Sequence, residues 1–141
     1  MKGYKDNIEK ATLKNVNFRK VLYSGKHLQL VLMSLKPGED IGKETHREND
    51  QFFRFDGGKG KCVIDGNTYR IKDGDAVIIP AGAKHNIINT SKTKALQMYT
   101  IYAPPHHKDG IVRATKKEAE DNEAEFDGKT TEKPRKKAKK K

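Results

Sequence analysis

Through the middle of the chain, apolar residues come in short runs separated by Gly, Pro and Asp. Val16–Tyr23, His27–Leu35, Gln51–Phe55, Lys61–Ile64, Thr68–Ile71, Ala76–Ile79, Lys84–Asn89 and Leu96–Ala103 are rich in β-branched and aromatic residues, and each predicts a strand. The punctuation between them has turn chemistry. Lys36-Pro37-Gly38 fits a Pro-Gly turn and Asp73-Gly74-Asp75 another. Asp65-Gly66 suits a two-residue hairpin, in which both central positions take positive φ. Many short strands at regular spacing predict an all-β barrel or sandwich. His27–Leu35 is hydrophobic on both parities, so both faces of that strand are expected to be covered, within a two-layer sandwich or in a dimer interface.

The pattern stops after Pro104-Pro105-His106-His107. Thr115–Phe126 carries the start signal of a short exposed helix, with Thr115 as N-cap and Glu118 three residues later. It has almost no apolar face, so disorder is the alternative. Gly128 onward reads as disordered. The expected organisation is an N-terminal arm over 1–13, a β-barrel over 14–105 and a Lys-rich extension over 106–141.

Composition sharpens this division. The chain has 141 residues, enough for one domain. Its formal charge of +11 is uneven: residues 129–141 hold eight Lys/Arg against one Glu, while 115–128 hold two Lys against six acids. The low apolar fraction, 33%, therefore belongs partly to the extension rather than to the barrel. No apolar run approaches the roughly 20 residues that cross a bilayer, and MKGYKDNIEKATLK has no apolar signal core. A cytoplasmic setting without membrane contact is the expectation. The single cysteine, Cys62, excludes an internal disulfide and a cysteine-rich zinc site, and reads as a buried strand residue. The terminal KPRKKAKKK would attract nucleic-acid phosphates without sequence preference. No aromatic residue is interleaved to stack bases, so a solvated extension is the preferred reading.

Two stretches carry the chemistry: PGEDIGKETHRENDQFFRFDGGKG and GDAVIIPAGAKHNIIN. They resemble the two signature blocks of the cupin superfamily, written G-x5-H-x-H-x4-E-x6-G and G-x5-P-x-G-x2-H-x3-N. The second block matches at every fixed position, with Gly74, Pro80, Gly82, His85 and Asn89. The first keeps its frame through Gly38, Glu44, His46, Gln51 and Gly58. The resemblance implies a double-stranded β-helix, jelly-roll-like barrel, and a metal held by Glu44, His46, Gln51 and His85.

The residues agree with that implication. Glu44 and His46 are two apart, so on a strand they share a face. The turn Pro80-Ala81-Gly82 returns the chain toward the barrel interior near His85. Neutral imidazoles with a hard carboxylate suit Mn, Fe, Ni, Co or Zn without selecting among them. Two positions depart from the family: Glu44 replaces the first histidine and Gln51 the glutamate. Asp50 is the alternative to Gln51. If Gln51 points inward, so do Phe53 and Phe55; if Asp50 does, Arg54 and Asp56 follow it into the core at a cost. Parity favours Gln51. With Glu44 as the one anionic ligand, a divalent ion would keep a positive charge and hold an anionic or enediol-type substrate as a Lewis acid.

The resemblance also implies function. Small cupins of this kind, described as mannose-6-phosphate-isomerase-like, are often homodimers, and some act on sugars, sugar phosphates or sugar acids. Isomerisation or a related proton shift is the expected chemistry. A non-catalytic small-ligand module and an iron-dependent oxygenase are the alternatives. Candidates for the general base are His106 and Tyr99. Tyr99 shares a face with Gln97, and Tyr102 takes the other; the sequence does not decide which face lines the pocket.

Overall fold

The computed structural model describes residues 1–135. Its elements run α1 (Ile8–Lys14), β1 (Arg19–Ser24), β2 (Gln29–Leu35), β3 (Glu44–Thr45), β4 (Asp50–Gly57), β5 (Lys59–Ile64), β6 (Asn67–Lys72), β7 (Ala76–Ile79), β8 (Lys84–Asn89), β9 (Leu96–Ala103), β10 (Val112–Arg113) and α2 (Lys116–Asp121). The strands form two antiparallel sheets, ordered β10-β1-β2-β9-β4-β7 and β3-β8-β5-β6. No helix among the described residues is long and apolar enough to cross a membrane.

Period-two alternation builds the core. Val31, Met33 and Leu35 of β2, Phe53 and Phe55 of β4 and Met98 of β9 point from the larger sheet onto Cys62 and Ile87 of the smaller one. Burial pushes the Cys62 thiol up to about 11, as expected of an inert strand residue. On β4 the inward face carries Gln51, while Asp50 is exposed and accepts from the Ala81 N–H at 2.9 Å. The Asp65-Gly66 hairpin has φ of 45° and 82°, as its turn chemistry requires. Gly58, at φ 89°, packs so closely on β9 that a Cβ would lie 2.3 Å from the Ala95 carbonyl oxygen.

The strand forecasts differ from the structure mainly at the N-terminal side. β1 begins at Arg19, because Asn15 closes helix α1 and leaves Val16 82% exposed. α1 itself was hidden inside the expected arm. Its cap is Asn7, which accepts from Lys10 N–H at 3.0 Å, and only Thr12 is buried, so it shows no apolar periodicity. It docks by polar contact as well: Gln97 Nε2 donates to the Leu13 carbonyl at 2.8 Å. β2 begins at Gln29, after a turn in which Gly25 N–H donates to Leu28 O at 2.8 Å.

The extension departs further from expectation. α2 has the forecast Thr115 cap, with Glu118 N–H donating to Thr115 Oγ1 at 3.1 Å, but ends at Asp121. Lys116 pairs with Asp40 at 2.6 Å, and Ala119 is buried. After Gly128, Thr131 and Glu132 lie against β1. Thr131 N–H donates to Ser24 O at 2.9 Å, and Tyr23 Oη donates to Glu132 Oε2 at 2.5 Å. This docking uses backbone and carboxylate hydrogen bonds, which leave no hydrophobic pattern in the sequence. Most of the terminal lysine run, residues 136–141, lies outside the described residues.

Candidate metal centre

The two sequence blocks are tied together through the turn of the second. Gly82 N–H donates to His46 O at 2.9 Å, and Ala83 N–H to Pro80 O at 3.1 Å. β8 then pairs with β3 so that His85 lies directly opposite Glu44. As a result one ligand atom from each of Glu44, His46 and His85 falls within 4.8 Å of the others. Glu44 and His46 are hydrogen-bonded, with Oε2 and Nε2 3.0 Å apart.

His85 is nearly buried, and its ring orientation is set. Nδ1–H donates to the Ala83 carbonyl at 3.0 Å, which leaves Nε2 as the atom with a lone pair. That Nε2 is buried without a hydrogen-bond partner. Gln51 shows the same feature. Its Nε2 donates to Thr100 Oγ1 at 3.0 Å, while its buried Oε1 has no partner. Two orphaned acceptor atoms in a region with an adjoining His–Glu pair fit a divalent cation. Glu44, His46 and His85 would hold it, with Gln51 Oε1 as the neutral oxygen donor.

The electrostatics suit that role. Burial pushes the Glu44 carboxyl up. The hydrogen bond and charge of His46, with Arg19 and His85, outweigh this and hold it below the usual range. Burial pushes His85 and His106 down, so both imidazoles are neutral near pH 7. His107 is pushed furthest, to about 2, by burial and then by Arg19 and His106. Burial raises Tyr102 strongly. Its hydroxyl lies 3.2 Å from His107 Nε2.

His106 is not the exposed loop residue that a double histidine after two prolines usually is. Its ring centroid is 4.3 Å from that of His46 and 5.3 Å from Tyr102. Gln29, fully buried on β2, holds this segment. Its Oε1 accepts from the N–H groups of His106 and His107 at 3.1 and 2.9 Å. Its Nε2 donates to His107 O at 2.6 Å and Ser24 Oγ at 2.8 Å.

Tyr99 is the candidate that the structure removes. Tyr102, Thr100 and Met98 share the inward parity of β9, which turns Tyr99 outward against Phe52, 6.2 Å between centroids. Asp50 is likewise turned away. Arg19 and Gln29 were missed. Arg19, Ile41, Glu44, His106, His107 and Glu125 line a cavity of about 130 Å³. The one trace of Arg19 in the sequence was a cation inside an apolar run, Phe18–Val21.

Comparison with known proteins agrees with this geometry. The family model described as Cupin domain matches residues 31–102, which contain both blocks. The chain is 47% identical to the Bacillus subtilis protein YrkC over 119 residues, covering 80% of this chain and 63% of that protein. It thus spans somewhat less than two thirds of that relative. A Bacillus halodurans protein of known crystal structure is 40% identical with a TM-score of 0.84, over 86% of this chain and 96% of that one. A Salmonella montevideo mannose-1-phosphate guanylyltransferase is 29% identical over 94 residues, 66% of this chain but 20% of that protein. Facing sheets, paired signature blocks and a family match over half the chain lead to one assignment: the chain belongs to the cupin family.

Proposed function

We propose that the protein is a metal-dependent enzyme that shifts a proton on a small polar or anionic substrate of the sugar or sugar-acid kind. The observation that carries this reading is His85: its tautomer is fixed by Ala83 and its buried Nε2 is unpartnered beside Glu44 and His46. The likeness to mannose-1-phosphate guanylyltransferase supports a sugar-related substrate, over a fifth of that enzyme's length.

A bound divalent ion would polarise a substrate carbonyl or hydroxyl oxygen. The chain's own residues do the rest. Gln51 and Tyr102 close the inner end, and His107 braces Tyr102. His106, neutral and half-buried against His46, is placed to take up and return the proton. Pro105, with Glu125 and Phe126 after α2, lines the opening beside His46 and His106. The functional unit in this reading is a homodimer in the cytoplasm.

Metal analysis of protein purified without added metal tests the proposal. About one equivalent of Mn, Fe, Ni, Co or Zn is expected, with loss in Glu44→Ala, His46→Ala and His85→Ala. Unchanged metal content in all three variants overturns it. Metal retention with no turnover or proton exchange on any sugar acid would favour a binding module. Oxygen consumption with reduced iron would favour an oxygenase.

A further inference from the structure

Arg19 lines the cavity without a direct ion-pair partner, although its charge reaches the Glu44 carboxylate on the same wall. Among the described residues no carboxylate lies within ion-pairing distance of it, and its buried Nε has no hydrogen-bond partner. A partly buried cation in that state is costly unless something pairs with it. Its neighbours do not. The residue directly across the β1–β10 pair is another cation, Arg113, whose Nε and Nη2 are taken by the Asn122 carbonyl at 3.3 and 2.9 Å. The Phe18 ring supports the guanidinium at 5.3 Å. Glu120, Glu123 and Glu125 line the same cavity, but all three are exposed and solvated.

The position of this charge relative to the His–Glu cluster is informative. Arg19 shares the cavity wall with Glu44 and His106. A ligand there meets the guanidinium of Arg19 and the side chains of Glu44 and His106, and Glu44 is the one member of the Glu44–His46–His85 cluster on this wall. Guanidinium presents a planar fork of donors that matches a carboxylate. At about 130 Å³ the cavity is well below the roughly 300–1,000 Å³ of pockets for drug-sized ligands. That volume suits an acid of a few heavy atoms.

We propose that Arg19 is the anion anchor of this cavity, and that its ligand is a small organic acid. One carboxylate of that acid lies on the guanidinium, and a second oxygen group points toward Glu44, His46 and His85. The inference rests on the reading of this cavity as the ligand site, and deepens it by assigning the substrate a carboxylate and the residue that holds it. Arg19 then selects the charged substrate, while the proton chemistry belongs to His106 on the same cavity wall.

Calorimetric titration with malonate and with its neutral isostere malonamide tests this, on Mn-loaded and on EDTA-treated full-length protein. Wild type is expected to bind malonate at least tenfold more tightly than malonamide. Arg19→Gln should erase that preference, Arg19→Lys should keep part of it, and neither should lose Mn binding. Glu123→Gln and Glu125→Gln, which remove negative charge from the cavity wall, should tighten malonate binding. If Arg19→Gln binds malonate within twofold of wild type, or wild type shows no preference, Arg19 is not the anchor. If the protein takes up no Mn yet malonate binding still depends on Arg19, the metal reading fails and the anchor stands.

Discussion

Glu44 on β3 and His85 on β8 are direct cross-strand partners, so the carboxylate of the first sequence block and the imidazole of the second meet through the sheet itself. Gln51 belongs to the inward face of β4 in the other sheet and has a buried, unpartnered Oε1. That oxygen is neutral, and ligand charge tunes affinity for a hard cation. Gln51→Glu is therefore expected to tighten Mn binding about tenfold, roughly 1.4 kcal/mol. Thr100 Oγ1, which now accepts from Gln51 Nε2, would turn its hydroxyl to donate to the new carboxylate. Gln51→Leu should weaken Mn binding. Titration of metal-free protein reads both; equal affinities in all three would place Gln51 outside the coordination sphere.

Acid should destabilise the metal-free protein below about pH 6.5. His107 sits near 2 in the folded state against about 6.5 when unfolded. Between those values the unfolded chain binds more protons, so stability is lost as pH falls. The charges acting on His107 are Arg19, His106, His46 and Arg113, all cationic or able to become so, and its neutral hydrogen-bond partner is the Tyr102 hydroxyl. The slope contributed by His107 is up to about 1.4 kcal/mol per pH unit. Burial moves His85 and His106 in the same direction. Urea unfolding in EDTA should give a clearly lower midpoint at pH 5 than at pH 7, and His107→Gln should flatten the difference. Equal midpoints in wild type would show that His107 is protonated in the fold.

Gln29 positions the histidine segment from beneath. Replacing it with Leu leaves two buried N–H groups and one buried carbonyl without their partner. The expected loss is about 2–4 kcal/mol of stability, the scale of leaving such groups unsatisfied. His106 would also lose its fixed approach to His46. Activity in Gln29→Leu should fall through kcat with the Mn affinity retained, because none of the ligand residues touches Gln29. Loss of Mn binding together with activity would mean that the variant has collapsed the site as a whole. Gln29→Glu keeps the acceptor for both N–H groups and should recover part of kcat.

Much of the fold was legible because strands write themselves in period two and their turns in Gly and Asp. The parity of Gln51, Phe53 and Phe55 was readable from the side chains alone. So were the Asp65-Gly66 hairpin and the approach of His85 to Glu44 and His46. What escaped depends on contacts that have no local pattern. Arg19 matters because of β10, which is over ninety residues away in sequence and pairs with β1. Gln29 looks like an ordinary strand residue until His106 and His107 are laid across it. The docking of Thr131 and Glu132 on β1 rests on single hydrogen bonds in a polar segment that composition alone assigns to disorder. Tyr99 and Tyr102 were equally good by residue type, and only the register of β9 against β4 separates them.

The outer face of the larger sheet carries the proposal of a homodimer. Leu30 of β2 is opposite Ile101 of β9, Ile101 opposite Phe52 of β4, and Phe52 opposite Ile78 of β7. These four side chains make an uncharged row across four strands, in a chain whose formal charge is +11. α1 contacts the other end of the sheet, around Gly57 and Gln97, and leaves Ile78 68% exposed. A neutral apolar row on a strongly cationic protein suits a second copy of the same row, since charge repels the copies everywhere else. Light scattering after size exclusion should give about twice the 15.9 kDa chain mass for wild type at tens of micromolar. Ile78→Lys, placed where its ammonium can reach water in the monomer, should give a folded monomer with unchanged Mn binding. A monomeric wild type, or a dimer indifferent to Ile78→Lys and to Phe52→Ser, would remove this face as the interface.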